Sequence, residues 1–228
     1  MVFETQSLAR GAGSLDERVM GPDFKLETAA MAAGASRIAG VDEVGRGPLA
    51  GPVTAAAVIL DPACIPEGLN DSKQVSAKRR IALAVMLREC AIVSVGHASV
   101  EEIEQHNILR ASHFAMQRAI AGLAETPDLV LIDGSMVPRG LNIAAQPVVK
   151  GDTRSLSIAA ASIVAKIARD EIMVDLAQQH PGYGWETNMG YGSKSHISAL
   201  QNLGVTPHHR RTFKPVYNML YQEKNVKS

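Results

Sequence analysis

From Ser155 to Gln179 the chain reads as one long helix, and its first half, Leu156 to Ala165, carries no charge and is rich in alanine. A helix that is apolar all round has to be buried. Its small side chains let a second layer come close, which suits a helix lying on a sheet. Composition points the same way. Apolar residues make up 46% of the 228 residues and aromatics only 4%, so the core has to be built from Ala, Val, Ile and Leu.

Short apolar runs bounded by turn residues predict the strands of that sheet: Arg37–Asp42, Val53–Leu60, Ala91–Ser99, Leu129–Asp133 and Asn142–Val149. The first two are separated by Gly45-Arg46-Gly47-Pro48-Leu49-Ala50-Gly51-Pro52, so they form a hairpin. Helices are predicted over Phe24–Ala33, from an N-cap at Ser76 through Glu89, over Val100–Gln105 and Ile108–Leu123, and over Ser193–Asn202. From Thr206 onward the reading is an irregular, basic tail. Three early strands followed by helix–strand alternation predict a mixed α/β sheet flanked by helices. The organisation expected is an N-terminal extension over 1–35, a catalytic domain over 36–217 with a small helical C-terminal part, and a tail over 218–228.

The formal net charge is zero, which neither favours nor excludes a nucleic-acid partner, because phosphates feel a local patch. The N-terminus lacks an apolar signal region, and no apolar run approaches the ~20 residues of a membrane span. Cys64 and Cys90 show no metal spacing and no disulfide framework, which suits a reducing, cytoplasmic compartment. Nothing suggests more than a monomer.

Two of the strands end on acids. Asp42 and Glu43 close the first, and Asp133 closes an apolar strand before a glycine. An ionised carboxylate there is costly unless compensated, and strand ends are where open α/β sheets place their ligands. Adjacent strand residues point to opposite faces. Asp42 and Glu43 therefore share an ion only if the turn rotates one of them or one ligates through its main-chain carbonyl. Asp152, after Val149-Lys150-Gly151, also suits a helix-capping or Asx-turn role. Asp170 also suits an ion-paired helix residue. Carboxylates without His or Cys select hard ions, Mg²⁺ or Mn²⁺ rather than Zn²⁺. Adjacent His208 and His209 are poor candidates for sharing an ion.

Gly45-Arg46-Gly47 sets a cation between two residues without side chains, where a phosphate or sugar can approach the main chain. In Asn70-Asp71-Ser72-Lys73, Ser72 and Lys73 offer a hydroxyl and an ammonium; a solvated turn explains this loop equally well. Lys78-Arg79-Arg80 reads as a solvated helix face. Tyr191, between Gly190 and Gly192, offers a ring for stacking, and Ser193 with Lys194 opens a helix that can hold an anion; a Gly-rich loop around a buried Tyr explains the stretch equally well. His208 to Lys214 is the most basic stretch and is expected to contact a nucleic-acid backbone.

Taken together, Ala39 to Val53, Leu69 to Lys73, Leu131 to Gly134, Val149 to Asp152, Ser157 to Asp170 and Gly190 to Lys194 resemble the bacterial ribonuclease HII family, in its order, over roughly residues 37–215. The resemblance implies an RNase H-like fold with a five-stranded mixed sheet. It implies an endonuclease that cuts the RNA strand of RNA–DNA hybrids, including single ribonucleotides embedded in duplex DNA. Four carboxylates, Asp42, Glu43, Asp133 and Asp152, would hold two Mn²⁺ or Mg²⁺ ions, and the products would carry 5′-phosphate and 3′-hydroxyl ends. Asp170 is the alternative fourth carboxylate. Gly45, Arg46 and Gly47 would read the 2′-hydroxyl, and Tyr191 would stack on the following deoxyribose. A type III ribonuclease H, a junction resolvase and a non-catalytic hybrid-binding module are the competing readings. A P-loop phosphotransferase is disfavoured, because no Lys-Ser/Thr follows the glycines.

Overall fold

The computed structural model describes residues 21–221. The Gly11–Ser14 loop, most of the 1–35 extension and the end of the 218–228 tail lie outside these residues.

Five strands form one sheet in the order β3-β2-β1-β4-β5. They are β1 (Ile38–Val44), β2 (Val53–Leu60), β3 (Ala91–Ala98), β4 (Leu129–Asp133) and β5 (Ala144–Val148). β1, β2 and β3 pair antiparallel, while β4 is parallel to β1 and β5 to β4. β1 runs two residues past the expected Asp42, because β2 continues to pair with it as far as Val44↔Thr54.

The helices are α1 (Lys25–Ala32), α2 (Ala77–Cys90), α3 (Val100–Ala121), α4 (Leu156–Gln179), α5 (Trp185–Asn188), α6 (Lys194–Leu203) and α7 (Lys214–Tyr221). The two helices expected over 100–123 form one element broken at Asn107, whose backbone leaves the helical region (φ 66°, ψ 165°). Ser76, Ser99, Ser155 and Ser193 cap their helices by accepting from main-chain N–H groups.

Alternate residues of the central strands face two helical layers. Val41, Val53, Ala55 and Ala57 pack against α3, and Ala56, Val58 and Leu60 pack against α2 and α4. β2 is buried along its whole length, as a strand covered on both faces must be. The uncharged half of α4 lies against β1 so closely that a Cβ on Gly40 would sit 2.1 Å from the Ser157 carbonyl carbon.

Two regions differ from the sequence reading, the stretch from Thr206 onward and α5. Residues from Thr206 onward are not an irregular tail. Arg210 donates from its main-chain N–H to Leu49, and α7 packs Val216 into a satellite core around Trp185. α5 was not expected from the sequence, since a single turn carries too few residues for periodicity to show. α1 packs Leu26, Ala30 and Met31 against Ile38, Leu131 and Ile158. Its Glu27 is buried at the start of α4, accepting from Ser155 Oγ (2.6 Å) and from the Ser157 main-chain N–H (2.9 Å).

Candidate active site

β1 and β4 are parallel neighbours, so Asp42 and Asp133 emerge at the same end of the sheet. Asp133 Oδ1 accepts from the Gly151 N–H at 2.7 Å. That bond pulls the single 3₁₀ turn Gly151–Thr153 against β4 and brings Asp152 to the same place. Lys150 takes a left-handed conformation (φ 53°) to make the approach. β1 stays paired with β2 through Val44, and its end lies at a cleft.

This cleft, of about 230 Å³, is lined by Asp42, Glu43, Asp133 and Asp152 together with Ser72, Lys73, Ser162, Tyr191 and the Gly45–Gly47 loop. Ser162 was not singled out from the sequence; its hydroxyl accepts from the Ser72 N–H and fixes that loop on α4. Asp170 is elsewhere. It lines a groove between α2 and α4 and is paired with Lys166 at 2.6 Å. Lys194 is exposed at the start of α6 and is not among the lining residues.

The carboxylates repel one another. Burial raises the Asp42 carboxyl well above the usual range, and Glu43, Asp133 and Asp152 add to the rise. Burial also raises Glu43, although Arg46, 3.0 Å away, opposes it. Burial and Asp133 raise Asp152. The Lys73 ammonium loses by burial but gains more from Asp71, Asp152 and Asp42, so it is held more strongly protonated. Among the described residues no three of these acids lie at the spacing of a closed ligand set, as expected for like charges. Glu43 Oε2 is buried with no hydrogen-bond partner among the described residues. An unpartnered carboxyl oxygen in a cleft lined by three further acids suits a cation, and an all-oxygen set suits a hard divalent one.

The expected backbone contact from His208 to Lys214 does not hold for its middle. His209 and Arg210 are both fully buried, because their polar atoms are used inside the protein. Lys78-Arg79-Arg80 is likewise more than a solvated face, as Arg80 donates to the Ser72 and Val75 carbonyls. The sequence reading gave no role to Arg169, which is also fully buried. Burial lowers its pKa to about 10 and that of Arg210 to about 9. A charge in the uncharged face of α4 was the available signal.

The family model described as Ribonuclease HII matches residues 39–217. A ribonuclease HII from Roseobacter denitrificans is 82% identical over 197 residues, covering 86% of this chain and all of that one. One from Ruegeria sp. TM1040 is 64% identical over 97% of this chain and 96% of its own. The fold is similar to ribonuclease H2 from Pyrococcus horikoshii, with TM-score 0.70 and 24% identity over 85% of this chain and 100% of that one. It is also similar to the ribonuclease HIII called Bst-RNase HIII, solved in complex with Mn²⁺. The TM-score there is 0.66, with 20% identity over 86% of this chain and 73% of that one.

Proposed function

The chain belongs to the ribonuclease HII family, and on that premise we propose that the cleft at the ends of β1 and β4 is its active site, with Asp42, Glu43, Asp133 and Asp152 as the catalytic carboxylates. The family's activity, endonucleolytic cleavage of the RNA strand of RNA–DNA hybrids, is this chain's activity, and it depends on divalent metal ions. The finer reading is that single ribonucleotides embedded in duplex DNA are also substrates, that the ions are Mn²⁺ or Mg²⁺, and that products end in 5′-phosphate and 3′-hydroxyl. The catalytic domain is taken as 36–217. A Mn²⁺ complex of a protein with this fold supports the choice of ion.

The observation that carries the proposal is that one cleft holds four carboxylates from three elements beside the Gly45–Gly47 loop, Lys73 and Tyr191. The carboxylates would hold the divalent ions, which supply a more acidic water and neutralise charge on the phosphate when bound. Glu43, whose Oε2 has no hydrogen-bond partner among the described residues, and Asp42 are neighbours at the end of β1. Asp133 is oriented by the Gly151 N–H. Lys73 places a positive charge at the mouth, where a phosphate of the substrate strand would pass. Tyr191 is half-exposed, with its ring edge 3.5 Å from where a Cβ on Gly47 would lie. A sugar held on the Gly45–Gly47 loop therefore has an aromatic neighbour, and the 2′-hydroxyl is the group that separates RNA from DNA.

The test is cleavage of a DNA duplex carrying one ribonucleotide, with mapped product ends, in Mg²⁺ or Mn²⁺. Asp42→Asn should abolish cleavage while leaving the protein folded. Wild-type rates in that variant would refute the assignment. Cutting of branched, ribonucleotide-free DNA would favour a resolvase instead.

A further inference from the structure

Arg169 and Arg210 are fully buried side by side, and among the described residues neither is paired with a carboxylate. Asp170, next in sequence to Arg169, is taken by Lys166. Among the described residues, all of their side-chain hydrogen bonds end on main-chain carbonyls. Arg210 donates to Gly45 (2.6 Å), Arg46 (3.0 Å), Gly51 (2.9 and 3.0 Å) and Pro52 (3.2 Å). Arg169 donates to Ala50, Pro52 and Met189, each at 3.0 Å. Two buried cations without counter-ions are costly, and hydrophobic replacements would fill the space. What hydrophobic residues cannot do is turn six carbonyls toward one point.

That turning has a consequence on the other side of the loop. In a planar trans peptide the C=O of one residue and the N–H of the next point in opposite directions. With the Gly45 and Arg46 carbonyls drawn inward to Arg210, the N–H groups of Arg46 and Gly47 are driven outward, toward the cleft that both residues line. Among the described residues neither of these N–H groups donates to a main-chain carbonyl. Arg169 fixes the other half of the arrangement. It packs so tightly on Gly45 that a Cβ there would lie 2.1 Å from its Nε. It also holds Met189, two residues before Tyr191. The Gly190 carbonyl accepts from the Leu49 N–H at 2.7 Å, which ties the two loops directly.

We infer that Arg210, backed by Arg169, is a specificity-determining positioning residue. By holding the Gly45 and Arg46 carbonyls inward it aims two main-chain donors at the sugar, and so sets the preference for a ribonucleotide. The inference rests on the reading of Gly45–Gly47 as the sugar-contacting loop. A lysine at 210 keeps the charge but cannot reach four carbonyls in the planes that the guanidinium fork serves.

The experiment measures kcat and KM on duplex DNA with one ribonucleotide, and on the same duplex with that sugar 2′-deoxy-2′-fluoro, whose fluorine is a poor acceptor. The ratio of the two kcat/KM values is the readout, with thermal unfolding measured in parallel. Arg210→Lys should lower the ratio by roughly 10-fold or more, as for loss of aimed hydrogen bonds to a substrate hydroxyl. Arg169→Lys should lower it less. Leu83→Ala, which destabilises the core under α2, should lower the unfolding temperature and leave the ratio unchanged. Gly47→Pro, which deletes one of the two N–H donors, should lower the ratio too. A ratio lost in Gly47→Pro but kept in Arg210→Lys overturns the positioning role and leaves the loop reading intact. A ratio lost in Arg210→Lys but kept in Gly47→Pro overturns the loop reading and the inference with it. Should Arg210→Lys not fold, an unchanged ratio in Arg169→Lys overturns the inference.

Discussion

Acid should weaken this fold through His209, and the hydrogen bonds around it say by how much. His196 Nδ1 donates to the Tyr191 carbonyl at 2.9 Å. Its Nε2 is therefore the acceptor, and takes the Trp185 indole N–H (3.0 Å) and His209 Nε2–H (3.1 Å). His209 Nδ1 accepts from the Thr206 N–H (3.0 Å) and has the Thr206 hydroxyl at 2.9 Å. Both rings are thus neutral and every nitrogen is used. A proton added to His209 has to enter at Nδ1, opposite an N–H that is already a donor. Burial, then the neighbouring His196 and His208, lower its pKa to about 3. In the unfolded chain the value is about 6.5, so below that pH the unfolded state takes up the proton and the native state does not. Stability is unaffected above pH ~6.5 and falls as the pH drops toward the folded-state value. At about pH 5 the loss from this residue alone is about 2 kcal/mol, and any folded-state value under about 4 gives nearly the same figure. Urea unfolding at about pH 7.5 and about pH 5, on wild type and His209→Gln, isolates the effect, since carboxylates common to both proteins cancel. The wild type should lose about 2 kcal/mol more than the variant over that interval. Equal losses in the two proteins would show that His209 is not held neutral, and the tautomer argument would fail.

Four further outcomes follow from the same structure. Asp152→Ala should cost ~10²-fold or more in kcat, on the scale of a lost electrostatic contact at a reacting phosphate. Asp170→Ala should leave the rate within a few-fold and instead reduce stability, because it breaks only the Lys166 pair; single-turnover cleavage and thermal unfolding of both variants decide between them. Gly40→Ala drives a methyl into the main chain of α4, with contacts at 2.1 and 2.3 Å. It should cost about 3 kcal/mol or more in denaturant unfolding, and a loss under ~1 kcal/mol would mean that α4 can shift away from β1. Glu27→Ala leaves two buried serine hydroxyls and the Ser157 N–H without their acceptor, and should cost about 2–4 kcal/mol in the same assay.

Much of the architecture was legible in the chain itself. Alternating and continuous apolar runs located all five strands to within a few residues, because strand pairing amplifies a local pattern instead of creating it. The uncharged half of α4 announced a buried helix on a sheet. Asp42, Glu43 and Asp133 were legible as candidates because an ionised acid at the end of an apolar strand is costly unless something compensates it, and because the family resemblance falls on the same residues. Asp152 and Asp170 could not be separated on residue type, since each is an acid near a helix. What separates them is the Asp133–Gly151 hydrogen bond, a contact between residues 18 apart. The basic stretch around Arg210 misled for the opposite reason. Charge in sequence predicts exposure, yet the carbonyls that accept from this guanidinium come from residues more than 150 positions away, and only the folded chain brings them together. The sequence by itself therefore determined the layers, the strand ends and the chemistry gathered there. The tertiary structure added that Asp152, preferred on the family resemblance, lines the same cleft while Asp170 does not, and it alone decided which buried cations shape the loop beside them, because both depend on hydrogen bonds to the main chain that leave no trace in local periodicity.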